Sequence, residues 1–358
     1  MYNEDAPSIT LFNSKKKGFR YWPTTFYTYP FWKKYYEIRS GPNKCHNKIP
    51  TYKTWLDQIQ FFIDASKKKQ MPFFSFSFLT EYTHDDLAVP SNLDRHLKSF
   101  LVNLMTNGDL DNTLVLFLSD HGNRLQKYSY ATANGRAERY MPFLSLKLPK
   151  KIIGSKYHKR ALANKNKLVT LFDVHQTLRH FLYINALQND KLKINNCKNM
   201  FKGNSIYQRN LRGISLLHKI PQNRTCENAL ITEDFCNCYK KEEIKEATLI
   251  RETGHSFNSS SLLALNFINN LTSDLRSKCE VYKILEIVSF KKMIFSGENV
   301  YTEILVLEPG QAWFEVTFKT VNEKLILNDV PIRLSAYGAQ AFCIKDDAFL
   351  PSYCFCKT

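Results

Sequence analysis

Thr113-Leu114-Val115-Leu116-Phe117-Leu118, followed at once by Ser119-Asp120-His121-Gly122, is a short apolar run that stops on a carboxylate and an imidazole. Its β-type composition and abrupt end read as a strand. In open α/β sheets the carboxyl end of a strand is where ligands and metals gather. Asp120 beside His121 suits a divalent cation, because an anionic oxygen and a neutral imidazole nitrogen are both good ligands. Upstream, Phe73-Phe74-Ser75-Phe76-Ser77-Phe78-Leu79 partly alternates and predicts another strand, leading into the polar cluster Thr83-His84-Asp85-Asp86. Between them Leu93, Leu97, Phe100, Leu101, Leu104 and Met105 recur at helical spacing, with Ser91 or Asn92 to cap and Asn107-Gly108 to stop the helix. Residues 73–118 thus predict a strand–helix–strand unit. If its strands are parallel neighbours, His84 faces Asp120 and His121 across a crevice.

The chain has 358 residues, 44% hydrophobic and 14% aromatic, enough for a large core and two domains. No apolar run is long enough to span a bilayer, and Met1-Tyr2-Asn3-Glu4-Asp5 is not a signal peptide. The nine cysteines are Cys45, Cys197, Cys226, Cys236, Cys238, Cys279, Cys343, Cys354 and Cys356. Most lie from Cys226 onward. Cys236-Asn237-Cys238 and Cys354-Phe355-Cys356 are too close for zinc-ligand spacing. In extended backbone the two members share a face and bridge different partners more easily than each other. They predict a disulfide framework and an oxidising compartment, with one cysteine left over. An oxidising compartment and the missing leader fit together if a secretory segment lies upstream of Met1. The formal charge is +17, but the basic residues sit in short runs, Lys15-Lys16-Lys17, Lys67-Lys68-Lys69 and Lys150-Lys151, without a nucleic-acid motif. No nucleic-acid partner is expected; an anionic substrate or extracellular polyanion is.

Alternation of elements argues for a layered α/β fold up to about residue 220. Tyr52, Trp55, Leu56, Ile59, Phe62 and Ile63 share a helix face. Residues 142–149 predict a strand. Leu168, Leu171, Phe172, His175, Leu178, Phe181 and Leu182 predict another amphipathic helix, with His175 as a core histidine. Residues 221–250 read as a cysteine-rich connector. Residues 251–358 read as a small antiparallel, disulfide-linked domain, with a short helix at 262–268 and a hairpin of residues 301–307 against 312–318.

The run from Asp111 through Asp120-His121-Gly122-Asn123-Arg124 resembles a signature of the DUF229 proteins, members of the alkaline phosphatase/sulfatase superfamily. Glu4-Asp5, Thr83-His84-Asp85-Asp86, Gly135-Arg136-Ala137-Glu138-Arg139-Tyr140-Met141-Pro142 and Phe172-Asp173-Val174-His175-Gln176-Thr177-Leu178 are similar to the same family. So are Gly213-Ile214-Ser215-Leu216, Pro221-Gln222-Asn223-Arg224-Thr225-Cys226 and the segment from Tyr337-Gly338-Ala339-Gln340 to Cys356. The resemblance implies a layered αβα sandwich of alkaline phosphatase/sulfatase type. It implies a divalent metal ion (zinc, calcium, magnesium or manganese) held by Asp120 and His121, with His84 near the ester and Arg136 and Glu138 in the substrate pocket. The first metal-binding aspartate and the nucleophile belong upstream of Met1, so this chain carries half a metal site and is expected to be inactive alone. Ser119, directly before the pair, suits structure better than nucleophilic attack. Two functions compete: a secreted metal-dependent hydrolase or transferase of sulfate or phosphate esters, on a glycan or lipid head group, and a non-catalytic secreted binder of anionic polymers.

Overall fold

The computed structural model describes residues 1–7, 18–38, 45–124, 126–182, 213–322, 324–347 and 349–357. Cys197 and Lys15-Lys16-Lys17 lie outside the described residues. The first part carries β1 (Tyr2–Glu4), α1 (Tyr29–Ile38), β2 (Cys45–His46), β3 (Ile49–Pro50), α2 (Thr51–Lys68), β4 (Phe76–Phe78) and α3 (Ser91–Thr106). It continues through β5 (Val115–Leu118), α4 (Lys127–Ala131), α5 (Ala133–Tyr140), β6 (Leu144–Lys147), α6 (Lys156–Ala163) and α7 (Leu171–Leu182). Tyr52, Trp55 and Leu56 of α2 pack on Trp32 and Tyr35 of α1 and Leu93 of α3, as the periodicity predicts.

The strands at 76–78 and 115–118 do not pair with each other. β4 takes β1 in parallel, Tyr2 opposite Phe76 and Glu4 opposite Phe78. β5 takes β6 antiparallel, Val115 opposite Lys147 and Leu118 opposite Leu144. Both choices have local causes. Met1, Tyr2, Asn3, Glu4 and Asp5 are all buried, and the Met1 amine donates to the Phe74 carbonyl at 2.7 Å, which fixes β1 along β4. The Lys147 ammonium donates to the Leu110 carbonyl, and the Lys150 N–H donates to the Asp111 carbonyl at 2.8 Å, which lock β6 onto β5. Ser91 does not cap α3: its hydroxyl donates back to the Ala88 carbonyl at 2.5 Å, and Pro90 holds the cap position.

The apolar stripe of α7 meets the core only in part: Leu168, just before the helix, and Phe181 pack on buried clusters, but much of the rest turns outward. Leu171, Phe172 and Leu182 are exposed, and so is His175, which is therefore not a core histidine. The helix instead buries Asp173, Val174 and Thr177. Asp173 explains this orientation. Its carboxylate accepts from Arg224 Nη1 at 2.7 Å and Nη2 at 3.1 Å, from the Thr170 N–H at 2.7 Å and from the Ile214 N–H at 2.6 Å. A buried carboxylate with this many donors outweighs a few exposed apolar side chains, because leaving it unpaired inside costs several kcal/mol, on the order of 3–5. The Leu216 N–H adds a bond to Thr177 Oγ1 at 2.8 Å.

From residue 242 the chain forms β7 (Glu242–Glu243), α8 (Glu246–Thr253), α9 (Phe257–Leu271), β8 (Lys283–Phe295), β9 (Glu298–Glu308), β10 (Ala312–Val321), β11 (Lys324–Leu327) and β12 (Ile332–Arg333). These strands build one six-stranded antiparallel sheet in the order β11-β10-β9-β8-β7, with β12 beside β10. The expected hairpin is β9 and β10, turning at the cis Glu308–Pro309 peptide. Strand alternation sends Tyr301, Leu305, Leu307, Phe314, Val316 and Phe318 to one face, against Ala264 and Ile268 of α9. The other face meets the first part of the chain, where the Tyr130 and Trp313 rings lie 5.2 Å apart. Disulfides join Cys226 to Cys236, Cys279 to Cys354 and Cys343 to Cys356. Each close pair thus sends its members to different fates, with Cys238 left as an exposed free thiol. No helix among the described residues is long and apolar enough to cross a membrane.

Glu303 of β9 lies on the α9 face, fully buried, and accepts from the Ser261 hydroxyl. Burial pushes its pKa up to about 8. The folded chain therefore holds a proton that the unfolded chain releases, so this residue's contribution to stability falls as pH rises from the ordinary carboxylate range to about 8. The slope reaches up to about 1.4 kcal/mol per pH unit. Glu303→Gln keeps an acceptor and removes the proton. Thermal melts at acidic and mildly alkaline pH are expected to show the variant gaining on wild type only at the alkaline end; a constant gap would refute this.

Candidate functional site

The end of β5 is built in three steps. Ser119 closes the strand: its N–H donates to the Phe143 carbonyl at 3.0 Å, and its hydroxyl accepts from the Phe143 N–H at 2.9 Å. The hydroxyl is thus part of the strand pairing. Asp120 and His121 follow on the turn, half-exposed. His121 Nδ1 lies 2.7 Å from the Gly122 carbonyl. A carbonyl only accepts, so Nδ1 carries the proton, and in the neutral ring Nε2 presents its lone pair. That nitrogen sits 3.4 Å from Asp120 Oδ2. Two acceptors at this distance repel unless positive charge lies between them, either a second proton on the imidazole or a cation held by both.

Gly122 seats the turn on α5. Its N–H donates to the Arg139 carbonyl at 3.1 Å, and a Cβ here would lie 2.3 Å from the Glu138 carbonyl oxygen and 2.9 Å from Arg139 Cα. Both obstacles are backbone and cannot swing away. Gly122→Ala is expected to cost about 2 kcal/mol and to displace His121. Chemical denaturation and the histidine ring resonances check it; a variant with unchanged midpoint and spectrum would overturn it.

The polar cluster after β4 meets this turn. Asn123 Nδ2 donates to the His84 carbonyl at 3.3 Å, while Asn123 Oδ1 accepts from Ser129 Oγ at 3.0 Å and the Gln126 N–H at 3.2 Å. Gln126 Nε2 reaches Asp86 Oδ1 at 3.3 Å. The two loops are therefore hydrogen-bonded to each other, although their strands are not paired. His84 Nδ1 lies 2.6 Å from Asp85 Oδ1, which leaves Nε2 as the ring's other nitrogen.

Asp5 supports the His84 loop, and sequence reasoning gave it no such role. It is fully buried at the end of β1 and accepts from the Thr80 N–H at 2.6 Å and the Glu81 N–H at 3.2 Å. The His84 N–H in turn donates to the Thr80 carbonyl at 3.0 Å. Burial pushes Asp5 up to about 7 against the pull of these two donors. An acid after a strand end is the pattern that marked Asp120, but β1 is too short to be read as a strand from the sequence.

Arg136 and Glu138 are not brought to one place. Two residues apart on a helix point to nearly opposite sides. Glu138 accepts from the Tyr128 hydroxyl at 3.1 Å, and its carbonyl abuts Gly122. Arg136 lines a cavity between α5 and the large sheet.

As a cation site, Asp120 and His121 fit as two ligands whose donor atoms converge. Among the described residues, ligand-type side chains come together in threes or more only as Cys226, Cys236 and Cys238, and as Cys279, Cys343 and Cys354. All of these except Cys238 are disulfide sulfurs, which lack the thiolate charge a metal takes. A search of curated proteins and of solved structures finds no match. Residues 1–288 match the family model described as a protein of unknown function (DUF229).

Proposed function

The chain belongs to the DUF229 family, and from that premise we propose that it is the carboxyl-terminal part of a sulfatase- or phosphatase-like protein, a metal-dependent hydrolase or transferase of sulfate or phosphate esters. In this proposal residues 1–220 belong to an αβα sandwich of the alkaline phosphatase/sulfatase superfamily. Residues 221–250 connect it to a β-rich domain of residues 251–358. Asp120 and His121 hold a divalent cation. The supporting observation is their pair of acceptors at 3.4 Å, oriented by the bond from Nδ1 to the Gly122 carbonyl. Such an outer bond is what usually fixes a ligating histidine's tautomer. When bound, the cation neutralises charge on the ester oxygens and lowers the pKa of an attacking hydroxyl.

The chain's own side chains take the remaining roles. His84, its Nδ1 engaged by Asp85, offers Nε2 toward the leaving oxygen. Asp5 holds the loop that carries it. Glu138 serves recognition beside the turn, and Arg136 serves it in the cavity on the other side of α5. The nucleophile lies outside this chain. Disulfides and a +17 charge support a secreted protein that meets an anionic glycan or lipid head group.

Asp120→Ala is expected to reduce divalent metal in the purified chain from near one equivalent to background, measured by elemental analysis. Equal metal in both proteins, or none in wild type, would sink the cation site. The second reading, a non-catalytic binder of anionic polymers, is supported by the net charge. A metal-free wild-type chain held on heparin and released by salt would favour it.

A further inference from the structure

Behind α5, on the side away from Asp120 and His121, a cavity of about 180 Å³ lies against the second face of the large sheet. Arg136 and Tyr140, one turn apart on α5, form one wall. Lys241, Ser289, Lys291 and Glu315 come from the connector and the sheet. Three polar atoms here are buried with no hydrogen-bond partner: Tyr140 Oη, Ser289 Oγ and Glu315 Oε2. Glu315 is only 4% exposed. Buried polar atoms of this kind are rare, because each unsatisfied group costs about 1–3 kcal/mol.

The charges define what would satisfy them. Three cations and one carboxylate line the cavity, and the buried Asp234 carboxylate acts on Glu315 and Lys241 from beside it. Lys241 Nζ stands 3.6 Å from Glu315 Oε1, leaving Oε2 unpaired. Lys291 is shared with the exposed Glu243 at 3.1 Å. A bare anion suits Arg136 and the lysines but not Glu315, which needs a donor. A neutral polyol suits Glu315 but leaves the Arg136 guanidinium without an anion. We propose that this cavity is a binding site for a small oxyanion carrying hydroxyl groups: Arg136 takes the anionic oxygens, a ligand hydroxyl donates to Glu315 Oε2, and the Tyr140 and Ser289 hydroxyls bond the rest. The volume is well below the roughly 300 Å³ at which sites for drug-sized ligands begin, so the ligand has the size of a three- or four-carbon compound. Either a phosphate ester or a carboxylate supplies the oxyanion.

This proposal builds on the recognition role of Arg136 and not on the metal pair, so calorimetric titration of the full chain is done with a chelator present. Glycerol phosphate, glycerate, inorganic phosphate and glycerol are the probes. At least one of the first two is expected to bind saturably, about tenfold or more tighter than inorganic phosphate and glycerol; which of them does identifies the oxyanion. Arg136→Gln is expected to weaken that binding by about tenfold or more. Glu315→Gln is expected to narrow the advantage over inorganic phosphate. The wild-type titration stands even if a variant misfolds. No saturable binding by wild type, glycerol binding as well as the hydroxylated anions, or a folded Arg136→Gln variant with unchanged affinity would each overturn the site.

Discussion

Asp173→Ala is expected to destabilise the chain by about 3–5 kcal/mol, the usual cost of stripping one partner from a buried ion pair. The arrangement leaves little room for relaxation. Arg224 and Asp173 side chains are 3% and 0% exposed, and the same carboxylate satisfies the backbone N–H groups of Thr170 and Ile214. Removing it strands a guanidinium and two amides at once. Arg224→Ala should lose a similar amount. The double variant should lose clearly less than the sum, because the second removal relieves the charge stranded by the first. Urea denaturation of the four proteins measures this. Additive losses, or a loss below about 1 kcal/mol for Asp173→Ala, would mean that α7 is held by something else. Three stretches that mark the family resemblance, around Asp173, Ile214 and Arg224, are explained by this one clasp.

The second large effect belongs to the Cys279–Cys354 bridge, which spans a sequence separation of 75 residues. Both cysteines are fully buried, and Cys343–Cys356 ties the last turn to the segment before it. Closing a loop of that length restricts the unfolded chain enough to contribute about 4 kcal/mol. Replacing both cysteines by alanine should lower the denaturation midpoint of the carboxyl-terminal sheet accordingly, followed by Trp313 fluorescence. Reduction of the wild-type protein should mimic it. A midpoint that moves with neither treatment would show that the sheet and α9 hold this region unaided.

Periodicity located individual elements well and their partners poorly. The faces of α2 and α3, the strand at β6 and the β9–β10 hairpin were legible because one side of each is apolar at the right interval, and β5 because it is a continuous apolar run, although Phe117 and Leu118 end exposed. The pairing of β4 with β1 was not, since β1 is three residues long and offers no pattern. The orientation of α7 was misread for a different reason. Hydropathy counts Asp173 as a surface residue, and only the donors 41 and 51 residues away make it a core one. In the candidate site, Asp120, His121 and His84 were visible as polar clusters after strands. The parallel pairing expected to bring them together is not formed; what links the two loops is the bond from Asn123 to the His84 carbonyl. That Glu315 and Tyr140 meet left no trace in the sequence, because it depends on how the sheet docks on α5.

α5 is a single wall with two tenants. The Asp120–His121 turn rests on its backbone through Gly122, and Arg136 and Tyr140 reach from it into the cavity behind. The helix is only eight residues long. Were the two proposed sites both to bind and to be coupled through it, reciprocity of linkage would make each ligand act on the other by the same factor. The thickness of one short helix is all that separates the two proposed sites.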